Sequence, residues 1–107
     1  MNLQIIGDKS FLTPEIKEII EEHFTNKVDM LLQNFSPEVK TAKMRIVREK
    51  FEGGGFKVNF DITLPGKELL YSENHHHLFI PALVGLREQL EKQIKKYKAE
   101  IATHSVG

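Results

Sequence analysis

The chain has 107 residues, 40% of them hydrophobic and 28% charged, which is enough for one compact domain with one core and too little for two. It contains no cysteine, so disulfides and thiolate metal sites are excluded, and no run approaches the roughly 20 apolar residues needed to cross a bilayer. Lys+Arg and Asp+Glu both number 15, so the net charge of zero gives no whole-chain argument for a polyanionic partner. The opening MNLQIIGDKS has no basic segment followed by a long apolar one, and the resulting expectation is a single domain over residues 1–107 that is cytoplasmic and unprocessed.

Leu3 and Ile5 alternate with Asn2 and Gln4 before Gly7, which predicts a short first strand. Thr13, Pro14 and Glu15 then supply a hydroxyl cap, a proline tolerated at the first helical position and an acid at the positive helix end. Ile16, Ile19, Ile20, Phe24, Val28, Leu31 and Phe35 follow at helical spacing, and Pro37 should end this helix near residues 34 to 36. From Thr41 the pattern changes to period two, with a bulge expected where Val47 and Arg48 interrupt the alternation. FKVNFDITL alternates cleanly from Phe56 to Leu64, so one face of that strand is buried and the other wet. Gly53 to Gly55 suit a hairpin connection, and Pro65 with Gly66 suit the turn into a short strand, KELLYS.

The histidines of ENHHHLFIPALVGL read as a polar loop leading into a second helix, from near Leu78 to about Ala102, with residues 103 to 107 frayed. Pro81 fits only if that helix begins within about three residues before it. Its apolar stripe is Phe79, Leu83, Leu86, Leu90, Ile94, Tyr97 and Ile101. Two one-faced helices and a one-faced sheet give an α+β two-layer sandwich of order β-α-β-β-β-α. Its four strands form a mostly antiparallel sheet with both helices on one face. The other face, with Lys43, Arg45, Lys57, Asn59 and Thr63, stays in water.

The charges are unevenly distributed: Glu15, Glu18, Glu21 and Glu22 crowd the first helix, while Lys40, Lys43, Arg45, Arg48 and Lys50 crowd the second strand region. In the last helix Arg87, Lys92, Lys95, Lys96 and Lys98 stand against Glu88, Glu91 and Glu100, and Lys92, Lys95 and Lys96 project away from the apolar stripe. Such a ridge can neutralise phosphates without reading bases, or it can simply solvate a helix face and complement the helix dipole. Tyr97 belongs to the stripe and is expected to pack on the sheet rather than stack on a base. His75 and His77 are candidate metal ligands because they share a side in an extended chain, but no patterned third or fourth ligand accompanies them. No arrangement of nucleophile and base, and no phosphate-binding loop, points to catalysis, so neither an enzyme nor a cofactor is expected.

The opening MNLQIIGDKSFLTPEIKEIIEEHF, the element order and the closing REQLEKQIKKYKAEI together resemble the ribosome hibernation-promoting factor and ribosome-associated inhibitor family over nearly the whole chain. LEKQIKKYK, residues 90 to 98, is the most specific part of the likeness. The resemblance implies a stress or stationary-phase factor of the short form that occupies the small-subunit decoding channel and contacts ribosomal RNA, with no DNA or membrane partner. It casts Lys92, Lys95, Lys96 and Lys98 as phosphate contacts, adds Arg87 from the same helix and Lys17 and Lys27 from the first helix, and expects Lys43 and Arg45 to extend the same charged surface. Where the family opens its second helix with an acid, a tyrosine and Ala-Ile-Asp, this chain has Leu78, Ile80 and Val84 at the acid, the tyrosine and the second acid.

Overall fold

The computed structural model describes residues 2–33, 41–49, 53–64 and 68–106, leaving aside the side chains of residues 68 and 101–106. The elements are β1 (Asn2–Ile6), α1 (Pro14–Ile20), a wide π-type turn (Glu21–Thr25), α2 (Asn26–Leu31), β2 (Thr41–Arg48), β3 (Phe56–Leu64), β4 (Glu68–His76) and α3 (Phe79–Val106). The strands lie in chain order, with β1 parallel to β2 and the other two pairings antiparallel. A parallel pair needs a long crossover, which α1, the wide turn and α2 supply as one continuous rod. The two-layer α+β architecture is therefore the one expected from the sequence.

The first rod begins as its sequence predicts: Thr13 is extended, its Oγ1 accepts from the Ile16 N–H at 3.3 Å, and Pro14 opens the helix. Its most buried residues, Ile20, Phe24, Val28 and Leu32, are spaced by four. On a regular helix of 3.6 residues per turn that spacing drifts by about 40° per step, and a wider turn offsets the drift. The π turn over Glu21–Thr25, where the Asn26 N–H reaches Glu21 O, sits in the middle of this series. The helix ends at Leu31, with Leu32 already outside helical geometry, so it stops before the stretch in which Pro37 was expected to end it. Phe35 and Pro37 lie outside the described residues.

β2 shows no bulge: the ladder runs unbroken from Thr41↔Thr63 to Arg48↔Phe56. Val47 simply takes its turn on the open face, while Arg48 lies at the end of the helix-side face, its guanidinium 5.6 Å from the Phe11 ring centre and 5.9 Å from that of Phe56. Gly53, Gly54 and Gly55 all have positive φ, which the β2–β3 connection requires. Phe11, Phe56 and Phe79 meet with ring centres 5.1 to 5.4 Å apart and close that end of the core.

Two expectations fail at β4. The strand is longer than KELLYS and reaches His76, so His75 and His76 belong to the sheet rather than to a loop. Its inward positions after Leu70 are polar, Ser72 and Asn74, which hid the strand from a hydrophobic alternation. Both are satisfied by α3: Asn74 Nδ2 donates to Ala82 O at 2.9 Å, and Ser72 Oγ lies 3.0 Å from Gln89 Oε1 and 3.4 Å from Leu86 O. Helix and strand approach this closely because residue 85 is glycine; a Cβ there would overlap the Asn74 amide. α3 starts at Phe79, which leaves Pro81 in the first turn, and it runs to Val106, beyond the point where fraying was expected. Phe79, Ala82, Leu83, Leu86, Leu90, Ile94 and Tyr97 are buried against the sheet, and no described helix is long and apolar enough to cross a membrane.

Candidate nucleic-acid interface

Because α3 buries one stripe, its opposite side is turned to solvent, and there Lys92, Lys95 and Lys96 stand exposed one turn apart. Among the described residues none of the three has an ion-pair partner. Glu88 precedes them on the same side and Glu100 follows. Three unneutralised ammonium groups on about a turn of rigid helix can meet successive phosphates of one strand without reading a base. Tyr97 does not join them: it is 7% exposed and packs towards β4, where it lines a shallow groove of about 220 Å³ with Leu69, Leu70, Gln93, Lys96 and Glu100.

The other two cations of the helix sit differently. Arg87 and Lys98 are half-buried, three turns apart on one flank of α3. Arg87 Nη1 donates to His23 O at 2.8 Å, inside the wide turn. Its Nε lies 3.1 Å from Glu91 Oε1, close enough for an ion pair but outside hydrogen-bond alignment, and its side chain is 16% exposed. Lys17 and Lys27 are exposed on α1 and α2, among Glu15, Glu18, Glu21 and Glu22, which are exposed as well.

Lys43 and Arg45 are exposed on β2, on the face away from both helices. The expectation that they extend the ridge of α3 into one surface is not met, because the sheet itself lies between the two sets. Their neighbours across the open face are Asp61 and Tyr71 beside Lys43, and Asn59 and Glu73 beside Arg45. The face carries a polar network that composition does not reveal: Tyr71 donates its hydroxyl proton to Glu73 Oε2 at 2.7 Å, and Lys57 Nζ lies 3.1 Å from Glu73 Oε1. The Tyr71 hydrogen bond, then the Lys57 contact, hold the Glu73 carboxyl below its ordinary pKa, and the same bond to Glu73 raises that of the Tyr71 hydroxyl.

The three histidines separate. His75 Nε2 is 2.9 Å from Glu49 Oε1 and joins the end of β2 to β4, His76 Nδ1 accepts the Leu78 N–H at 3.0 Å at the mouth of α3, and His77 is exposed. Among the described residues no three of His, Asp and Glu converge as metal ligands, and His75 and His77 no longer share a strand. Of these arrangements, sequence reasoning found the lysine ridge through its period. It missed the Arg87 contact, whose acceptor is a backbone carbonyl 64 positions away and leaves no residue pattern.

The fold is a one-sided helix-on-sheet sandwich whose last helix presents to solvent a ridge of lysines with no ion-pair partner among the described residues. The chain matches the family model described as Sigma 54 modulation protein / S30EA ribosomal protein over residues 3–102, and it belongs to that family of ribosome-associated modulation proteins, the one its sequence resembles. No curated protein matches it. Among solved structures it is similar to a ribosomal subunit interface protein from Coxiella burnetii, with 20% identity, a TM-score of 0.68 and coverage of 92% of this chain and 99% of that one. It is also similar to the N-terminal domain of Protein Y from Thermus thermophilus, with 22% identity, a TM-score of 0.70 and coverage of 91% and 99%. At these identities the two structures establish the shared fold.

Proposed function

We propose that this chain is a cytoplasmic, ribosome-binding inhibitor of translation that acts as one unit, occupies the decoding channel of the small subunit and holds ribosomal RNA through phosphate contacts under stress or in stationary phase. The observation that carries the reading is the ridge of Lys92, Lys95 and Lys96, exposed and, among the described residues, without ion-pair partners, on a helix fixed to the sheet. Family membership and the likeness to a ribosomal subunit interface protein point to the same partner. Lys17, Lys27 and Lys98 are secondary contacts, and Lys43 with Arg45 would meet RNA only on the opposite side of the molecule.

Co-sedimentation with ribosomes at low salt tests this directly, with sequencing of the RNA in the bound fraction. Wild-type protein should pellet with small subunits, and the combined K92E, K95E and K96E changes should abolish pelleting. Unaltered binding by that variant, or no binding by the wild type, sinks the proposal. Leu78 and Ile80 are 57% and 41% exposed where the family has its acid and tyrosine, which favours one alternative: a divergent module of the same fold bound to another RNA or to a protein. A pull-down that recovers a protein and no ribosomal RNA would point there.

A further inference from the structure

We propose that Arg87 is a positioning residue, a clamp that fixes the slide of α3 along the first rod and so sets where the Lys92, Lys95 and Lys96 ridge stands relative to the cations of that rod; this rests on the RNA-binding reading above. The helices also meet through apolar side chains such as Phe24, Val28, Leu86 and Leu90, all fully buried. Apolar packing is non-directional, and it resists separation more than it resists sliding. A hydrogen bond to a main-chain carbonyl is different, because it names one position on the neighbouring helix.

Arg87 makes that bond at the one irregular place in the rod. Its Nη1 reaches His23 O at 2.8 Å within Glu21–Thr25, while Glu91, one turn further along α3, holds the other side of the guanidinium at 3.1 Å. The carboxylate and the carbonyl thus divide one planar fork between the two helices. Lysine has the charge but not the fork, so it cannot make both contacts in this geometry. With 16% of its side chain exposed, Arg87 is poorly placed to meet a phosphate directly. π-type turns occur often at functional sites, and here the turn presents the acceptor.

The experiment compares R87K, R87M and K95Q with wild type in ribosome co-sedimentation over a series of salt concentrations, together with amide hydrogen exchange of the free proteins. R87K and R87M should both bind more weakly by about fivefold, at the low end of typical coupling between sites. Their plots of log affinity against log salt should run parallel to wild type, whereas K95Q should flatten the slope by about 0.7 to 0.9, the share of one phosphate contact. Exchange at residues 23–28 should quicken in both Arg87 variants. If R87K binds like wild type while R87M loses about one phosphate's share of slope, Arg87 is itself a phosphate contact and the proposal is overturned. Lower melting temperatures with unchanged affinity overturn it as well, leaving Arg87 a purely structural role. The exchange readout needs no ribosome: unchanged protection at 23–28 removes the clamp itself, whereas a wild type that never pellets removes the ribosome reading.

Discussion

Single side chains decide several features that the pattern of the sequence leaves open. Glycine at 85 is one: an added methyl would press on the Asn74 amide, breaking its bond to Ala82 O or displacing α3. G85A should therefore cost about 1–3 kcal/mol, the usual range for overpacking a tight contact, measured by urea denaturation. Glu73 is another. Its carboxyl is held below the ordinary range chiefly by the Tyr71 hydroxyl, so the folded chain binds its proton less tightly than the unfolded one. That stabilisation is present above the unfolded carboxyl value and is lost as pH falls through the lower folded one. Y71F should raise the Glu73 titration towards the ordinary carboxylate range in an NMR pH series, and an unmoved titration would show that Lys57 alone holds it. These contacts could not be read from spacing, because each joins residues whose neighbourhood depends on strand register or on the approach of a helix.

At the scale of elements, the first rod and α3 were legible because their apolar residues recur at helical spacing and their ends carry recognisable chemistry. Thr13 shows this, since its hydroxyl caps the helix as its place before Pro14 suggests. T13A should lower stability by about 1 kcal/mol in thermal or chemical denaturation. β4 was legible only in part: Ser72 and Asn74 stand where a buried strand normally carries apolar groups, and they are tolerated because α3 supplies their hydrogen-bond partners. The wide turn left no mark beyond the spacing of four among Ile20, Phe24, Val28 and Leu32. Leu90 lies fully buried at the centre of the stripe that joins α3 to the rest, so L90A should cost about 2–5 kcal/mol by cavity formation. A loss of less than 1 kcal/mol would mean that α3 is not held by this core.

At the scale of the molecule, two of the cationic sets among the described residues face opposite ways, and the one on α3 is concentrated. Lys92, Lys95 and Lys96 share one turn of helix, while Lys43 and Arg45 lie across the sheet beside Asp61 and Glu73. If the ridge alone carries the phosphate contacts, log affinity for ribosomes should fall with log salt at a slope of about −2 to −3, since each contact contributes about 0.7 to 0.9. A steeper slope, reduced by changing Lys43 and Arg45 to Gln, would mean that RNA embraces both faces. The zero net charge of the chain would have hidden either outcome, because binding follows the local field and not the sum.

Apart from the second half of β4 and the wide turn of the first rod, the sequence by itself determined which segments are helix or strand, the burial of one face of each, and the lysine ridge opposite the stripe of α3. All of these follow from periodicity, which the backbone imposes residue by residue. The tertiary structure alone decided which charges share a surface. It placed a sheet between Lys43 and Lys96, turned Arg87 from the solvent ridge onto the His23 carbonyl, and parted His75 from His77 by ending a strand between them. Those outcomes depend on where separate segments meet in space, and local spacing carries no record of that.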